Sequence, residues 1–278
     1  MYQKTKKPQI IIFTDLDGTL LDYQNYSFDA AQKALKKIKD SQIPLIICTS
    51  KTRAEIELWR KRLNNNDAFI SENGGAIFFP KMDIIPNLPK VIDRNGYKII
   101  ELGIHYSELL IRFRRLKDIF GKKIRGFSEM EVDEIAHLTG LSRDEAELAK
   151  RREYTEPFLF TGNENEMKIL EKNIDRMKLK LTRGGRFFHL LGDNDKGKAV
   201  IIVSEIYKKK LPELKTIALG DSYNDLPMLQ KVDIPILVQK IGGGFDERIK
   251  DIPNLIRASG IGPEGWNKAL LEVLEMRG

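Results

Sequence analysis

Two acidic clusters stand out in the 278-residue chain, Asp15-Leu16-Asp17-Gly18-Thr19 and Gly220-Asp221-Ser222-Tyr223-Asn224-Asp225. Each follows a short apolar run, Ile10-Ile11-Ile12-Phe13 in the first case and Ile217-Ala218-Leu219 in the second. Apolar runs without alternation read as strands buried on both faces of a parallel sheet, and open α/β sheets bind ligands beyond the carboxyl ends of such strands. Carboxylates two residues apart at that edge can divide a phosphoryl transfer, one attacking phosphorus and the other exchanging a proton with the leaving oxygen. Asp-x-Asp-Gly also makes ordinary turns, and that reading stands beside the chemical one. The second cluster favours chemistry. Acidic groups from separate strands repel at one edge unless a cation joins them, and Mg²⁺ takes one or two carboxylates together with phosphate oxygens. Between the clusters lie Thr49, ending a second apolar run, and Lys196, opening a helical pattern. A hydroxyl and an ammonium there can hold phosphate oxygens, although a threonine before a helix is commonly a cap and a lysine commonly solvated.

The elements that must position these residues follow from periodicity. Strand Ile10–Phe13, a helical pattern through Ala31, Leu35 and Ile38, and strand Pro44–Cys48 form one βαβ unit. A helix over Thr52–Leu63, a strand Ala68–Ile70, a turn at Asn73-Gly74-Gly75 and a strand Ala76–Phe79 come next. The pattern predicts an α/β fold with a doubly wound, mostly parallel, Rossmann-like core. Prolines 80, 86 and 89 then read as a hinge, after which the texture changes. Strand Tyr97–Leu102 and helices Ser107–Phe120, Ser142–Lys150 and Glu164–Met177 alternate with strand Phe158–Phe160 and a hairpin of Lys178–Thr182 and Arg186–Leu191 around Gly184-Gly185. The expected division is a core of residues 1–81 and 191–278 interrupted by an inserted α+β domain, 82–190. The second core segment carries helix Lys196–Tyr207, strands Thr216–Leu219 and Ile234–Val238, a helix near Leu226 and a terminal helix from Glu264.

Composition bounds the function classes. With 41% hydrophobic and 31% charged residues the chain can bury a core, and no run of about 18 apolar residues exists to span a bilayer. Lys4, Lys6 and Lys7 resemble a signal-peptide start, but the apolar stretch after them is only Ile10–Phe13, so a soluble, unprocessed cytoplasmic chain is expected. The net charge is +7, from 47 Lys and Arg against 40 Asp and Glu. Basic runs at Lys122–Arg125, Lys150–Arg152 and Lys208–Lys210 lack the interleaved aromatics of a stacking platform, so they read as solvated faces, and no nucleic-acid or membrane partner is expected. A mildly positive field suits a small anionic substrate. The single cysteine, Cys48, excludes an internal disulfide and reads as a small buried hydrophobe. Tyr23, Trp59 and Trp266 read as packing residues, and Gly242-Gly243-Gly244 as a loop.

Taken in order, the Asp-x-Asp-Gly-Thr loop, the Thr after the second strand, the Lys and the Gly-Asp-x-x-x-Asp loop resemble the four motifs of the haloacid dehalogenase superfamily of aspartyl-phosphate phosphatases. The resemblance covers nearly all of the chain, and the insertion between the second and third motifs is similar to class IIB caps. It implies that Asp15 is the nucleophile and Asp17 the acid and base, with Thr49 and Lys196 holding the phosphoryl group. It implies Mg²⁺ bound by Asp15, the main-chain carbonyl of Asp17 and Asp221, with Asp225 assisting and Asn224 near metal or substrate.

Finer segments resemble the mannosyl-3-phosphoglycerate phosphatase family within that class: Thr49-Ser50-Lys51-Thr52-Arg53-Ala54-Glu55, Ser71-Glu72-Asn73-Gly74-Gly75-Ala76, Leu138-Thr139-Gly140-Leu141, Arg152–Phe158 and Gly184–His189. This resemblance implies a small anionic sugar-phosphate substrate and adds Ser50 to the candidate contacts. Such a substrate needs cations for its anions, for which Lys51, Arg152 and Arg186 are candidates. It also needs planar polar groups for its hydroxyls, for which Glu72, Asn73 and Glu156 are candidates. His189 either faces substrate or metal, or is one face of a strand. Other sugar-phosphate substrates, among them glucosyl-3-phosphoglycerate, sucrose phosphate and hexose phosphates, remain alternatives, as does a phosphomutase. A nucleic-acid-binding protein that has kept the fold is a third reading, and the expected assembly is a monomer or homodimer.

Overall fold

The computed structural model of the protein describes residues 9–80 and 91–276. The N-terminal lysines, the expected boundary after residue 81, and Pro86 and Pro89 fall outside them. Two compact units are present, one formed by the described residues up to Cys48 and from Val200 onward, the other by those from Thr49 to Ala199.

In the first unit five parallel strands lie in the order Ile256–Ile261, Ile234–Gln239, Lys215–Gly220, Ile10–Thr14 and Leu45–Cys48. Every residue of Ile10–Thr14 and Leu45–Cys48 is buried, which is why both are unbroken runs rather than alternating ones. Helix Gly262–Glu275 packs against the two strands that precede it and against helix Gln32–Asp40. Its Trp266 is fully buried, and Nε1 donates to Thr14 Oγ1 at 2.9 Å, while that hydroxyl donates to the Asp15 carbonyl at 2.7 Å. The last helix thus fixes the exit of the first strand, where the first acidic cluster begins.

The second unit holds an antiparallel ribbon, in the order Phe69–Ser71, Ala76–Pro80, Tyr97–Glu101 and Val91–Arg94, and a separate antiparallel sheet, Ile124–Gly126, Thr155–Phe160, Phe187–Leu191 and Lys180–Gly184. Helices Tyr106–Phe120 and Glu164–Arg176 cover one face of that sheet through Leu109, Phe113, Phe158, Leu170, Ile174 and Leu190. Side chains alternate along a strand, so Phe187, His189 and Leu191 face the other way. There Phe187 packs with Phe127, Met130 and Ile135, a cluster supplied partly by helices Val132–Thr139 and Arg143–Lys150.

Most predicted elements are present, and several details differ. The hairpin turn is Gly185-Arg186, because Gly184 pairs with Phe187. The terminal helix starts at Gly262, with Pro263 in its first turn. Strands Val91–Arg94, Ile124–Gly126 and Ile256–Ile261 and helix Val132–Thr139 were not anticipated. Trp59, Trp266 and Cys48 are buried as expected, but Tyr23 is 48% exposed and is not a packing residue. It sits in a loop turned by the Asp22 carboxylate, which accepts from Gln24 N and Asn25 N. Of the basic runs, Arg152 is the exception to solvation, with a side chain 5% exposed.

Candidate active site

The two acidic clusters meet in the first unit. Asp15, Asp221 and Asp225 are buried and each offers an oxygen within 4.8 Å of the others. Register explains this: Thr14 pairs with Leu219, so Asp15 and Asp221 leave adjacent parallel strands side by side, and Asp15 N donates to the Leu219 carbonyl at 3.0 Å. A single 3-10 turn, Tyr223–Asp225, returns Asp225 to the same place, where its Oδ2 accepts from Asp221 N at 3.1 Å and Ser222 N at 3.0 Å. Asp221 accepts from Thr19 Oγ1 at 3.3 Å and from Ser222 Oγ at 2.8 Å. Two glycines leave the space these carboxylates fill. A Cβ on Gly18, whose φ is +77°, would stand 3.1 Å from Asp221 Oδ2, and one on Gly220 would stand 2.5 Å from the Asp225 Cβ.

Asp17 is half-buried in the loop, which closes through Gly18 N to the Leu21 carbonyl (2.9 Å) and Leu21 N to the Leu16 carbonyl (2.8 Å). Asn224 is buried one residue from Asp225. Burial, then the charges of Asp225 and Asp15, push the Asp221 carboxyl up to about 8. Three buried carboxylates around one small space, all hard oxygen donors, fit a small divalent cation whose charge would offset that repulsion.

The remaining candidates belong to the second unit. Thr49 is buried, its N–H donating to the Ile70 carbonyl and its carbonyl accepting from Asn73 N. Lys196 is fully buried at the start of its helix, not solvated. Ser50 accepts at its carbonyl from Arg152 Nη1 at 2.8 Å, and Arg152 Nε donates to the Ala149 carbonyl at 2.7 Å. Lys51 pairs with Glu55 at 3.4 Å, and Arg152 Nη2 lies 3.8 Å from the other Glu55 oxygen. Glu55 closes the segment Thr49–Glu55 quoted above but was not among the candidate site residues. Its signal was Thr52-x-x-Glu55, which forms a reciprocal capping box at the start of helix Arg53–Leu63. Thr19 and Ser222, which orient Asp221, were also missed, because each lay inside a motif read for its acids.

Glu72 and Glu156 have distinct structural partners. Glu72 is fully buried, with Oε1 accepting from Glu153 N at 2.8 Å and Oε2 from Tyr154 N, Thr155 N and Thr155 Oγ1 at 3.1, 2.8 and 2.8 Å. Burial raises its carboxyl above the ordinary range against the pull of Arg152 and these donors. Its acceptors are therefore filled by the chain, so it positions residues 153–155. Glu156 accepts from Ser128 N and Oγ and from the Tyr106 hydroxyl, and Gly126 must lack a Cβ to admit it. Asn73 is buried with φ +55° in the same turn as Glu72, and its carbonyl accepts from Asn194 Nδ2 at 3.3 Å. Arg186 stands exposed in the hairpin turn, four residues from Leu190, which pairs with Glu156. At about 3.3 Å per residue that separates it from Glu156 by about 13 Å along the sheet. His189 is 6% exposed, whereas His105 and His137 are exposed.

Among the described residues no helix is long and apolar enough to cross a membrane. The chain is 47% identical over 264 residues to a glucosyl-3-phosphoglycerate/mannosyl-3-phosphoglycerate phosphatase of Methanococcoides burtonii, covering 95% of this chain and 97% of that one. A similarly named protein of Persephonella marina is 45% identical, again over 95% of this chain and 97% of its own. A mannosyl-3-phosphoglycerate phosphatase of Pyrococcus horikoshii is 38% identical over 82% of this chain and 90% of its own. Solved structures share the fold at low identity. A haloacid dehalogenase-superfamily phosphatase of Bacteroides thetaiotaomicron aligns with a TM-score of 0.67 at 20% identity over 100% of this chain and 98% of its own. A subclass IIB sugar phosphatase aligns with a TM-score of 0.65 at 18% identity over 96% and 98%. The model of the haloacid dehalogenase-like hydrolases matches residues 12–241, a span that contains the three buried carboxylates, and the chain belongs to that family.

Proposed function

We propose that the protein is a Mg²⁺-dependent phosphatase that hydrolyses mannosyl-3-phosphoglycerate, or its glucosyl counterpart, to the hexosylglycerate and phosphate through a phosphoaspartate. The observation that carries the reading is end-to-end similarity to phosphatases named for these two substrates, in a chain that keeps Asp15, Asp221 and Asp225 buried together. The dual name of the two most similar relatives cited above favours keeping both hexoses.

In this reading an Asp15 oxygen attacks phosphorus, the bond from phosphorus to the glycerate 3-oxygen breaks, and Asp17 delivers a proton to that oxygen. Asp17 then takes a proton from a water, which attacks the phosphoaspartate; the acyl phosphate bond breaks at phosphorus and Asp15 is restored. Mg²⁺ would be held by Asp15, Asp221 and the Asp17 carbonyl with Asp225 assisting, and would supply positive charge for the phosphoryl oxygens. Thr49 and Lys196 take the roles of phosphoryl ligands. Ser50, Lys51, Asn73, Arg152, Arg186 and Asn224 are the candidate substrate contacts, with Glu72 supporting them through residues 153–155, and the 82–190 segment is the class IIB cap that sets specificity.

Phosphate release from mannosyl-3-phosphoglycerate, glucosyl-3-phosphoglycerate and mannose 6-phosphate, each with Mg²⁺ or chelator, tests the reading. Chelator-sensitive release from the first two and little from the third is expected. Equal release from all three would withdraw the substrate assignment and leave the chemistry standing. Asp15→Asn is expected to abolish turnover while the chain still melts cooperatively, and a variant that still turns over would remove the nucleophile.

A further inference from the structure

His189 is a buried imidazole to which the phosphoryl chemistry above gives no role. It lies in strand Phe187–Leu191, paired with Pro157 on one side and Thr182 on the other. Its neighbours on the opposite face, Phe188 and Leu190, belong to the apolar layer under the helices, and Phe187 on its own face joins the apolar cluster around Phe127. The Nδ1 of His189 is buried without a hydrogen-bond partner, which is uncommon for a group that costs free energy when left unsatisfied. Burial, with the positive charges of Arg152 and then Lys196 bearing on it, pushes the imidazole down to about 3, so at neutral pH the ring is an uncharged donor and acceptor.

Those two cations say what kind of group belongs beside the ring. Lys196 is fully buried and the Arg152 side chain is 5% exposed, and both act on the same imidazole. Arg152 is held by two backbone carbonyls, through Nε and Nη1, with its Nη2 3.8 Å from Glu55, and these partners fix its plane. A molecule with two anionic groups a few bonds apart would put one on each cation and its connecting atoms against the imidazole. A phosphoglycerate has that form, with phosphate and carboxylate joined through three carbons that include a substituted hydroxyl carbon. A hexose phosphate has no second anion. A neutral ring completes this arrangement because it adds a hydrogen bond without adding a third charge.

We propose that His189 is a specificity-determining residue that hydrogen-bonds the carboxylate-bearing glycerate portion of the substrate beside Arg152. The inference rests on the phosphoglycerate reading given above and adds to it the residue that separates phosphoglycerates from phosphates lacking a carboxylate.

Product fragments serve as probes, so that binding is read apart from turnover. In the wild-type protein with Mg²⁺, D-glycerate is expected to shift the ring resonances of His189, identified among only three histidines by their loss in His189→Asn. His189→Ala is expected to raise KM for the hexosylphosphoglycerate and to weaken D-glycerate inhibition by about 10-fold, the effect of losing one net hydrogen bond, with a much smaller change for inorganic phosphate. His189→Asn, which keeps a neutral donor and acceptor, is expected to recover most of both. Unshifted His189 resonances under saturating D-glycerate, or a loss that sits in kcat and is equal for both inhibitors, would overturn the assignment. Absence of turnover with either hexosylphosphoglycerate would fail the substrate reading alone, since the D-glycerate titration still decides whether His189 meets a carboxylate ligand.

Discussion

At the scale of the residue, the site depends as much on atoms withheld as on atoms supplied. Gly220 is the sharpest case, because an added Cβ would sit 2.5 Å from the Cβ of Asp225 and must displace the carboxylate that two backbone N–H groups hold. Gly220→Ala is therefore expected to weaken Mg²⁺ binding by about 10- to 100-fold, the usual cost of disturbing a group that orients metal ligands, as read by titration calorimetry. His189 gives a second prediction, with a definite sign. Its imidazole is depressed to about 3 in the folded state against about 6.5 in the unfolded chain. The unfolded state thus binds the extra proton between those values, and folding stability contributed by the neutral ring is lost as pH falls from about 6.5 toward 3. Urea denaturation across this range should show His189→Asn less acid-sensitive than wild type by up to about 1.4 kcal/mol per pH unit. An identical slope in both proteins would mean that the ring protonates freely when folded. That Asp15, Asp221 and Asp225 meet was legible in the sequence because each follows directly on, or lies within a few residues of, an unbroken apolar strand. The job of Glu72 was not, because its partners stand 81 to 83 positions away and only the fold brings them to it.

At the scale of the element, Glu72 joins the turn after strand Phe69–Ser71 to the start of strand Thr155–Phe160. Three backbone N–H groups and one hydroxyl converge on its two oxygens. Glu72→Gln keeps the shape but turns one acceptor into a donor facing donors, and is expected to cost about 3 kcal/mol in urea denaturation. Gly74 in the same turn is at φ +85°, and a Cβ there would lie 2.1 Å from the Asp195 carbonyl, so Gly74→Ala should destabilise through backbone strain and that clash together. Elements were recovered where burial gave them a pattern and lost where it did not. Val91–Arg94 is mostly exposed and half charged, so it carries no apolar run. The Asn95-Gly96 pair that turns it into strand Tyr97–Glu101 was the available signal, with both residues at positive φ. Ile256–Ile261 lies at the edge of the parallel strands with alternating exposure and a glycine, which hides it from a rule tuned to buried strands.

At the scale of the whole molecule, the buried acidic cluster would couple folding to the cation binding proposed above. Packing Asp15, Asp221 and Asp225 together raises Asp221 from its ordinary range to about 8, chiefly through burial and then through the other two charges. A carboxyl whose folded value is raised favours folding most when it is protonated, so its contribution is present below about 4 and is lost as pH rises toward about 8. Without a divalent cation the protein should therefore lose stability from this site across that window. In the proposed function Mg²⁺ would reverse the balance, because it would bind the ionised carboxylates of the folded chain and compete with the proton for them. Its stabilisation should be small near pH 5 and grow toward pH 8, reaching about 2.7 kcal/mol when the free cation is about 100 times its dissociation constant. Thermal melts with Mg²⁺ and with chelator over pH 5–8 check this, the expected result being a gap in Tm that widens with pH. Asp225→Asn removes one of the repelling charges, so it should raise the Tm of the metal-free protein at pH 8 while shrinking the Mg²⁺-induced gap. A gap independent of pH, or one unchanged in that variant, would place the cation's stabilising effect away from these three carboxylates.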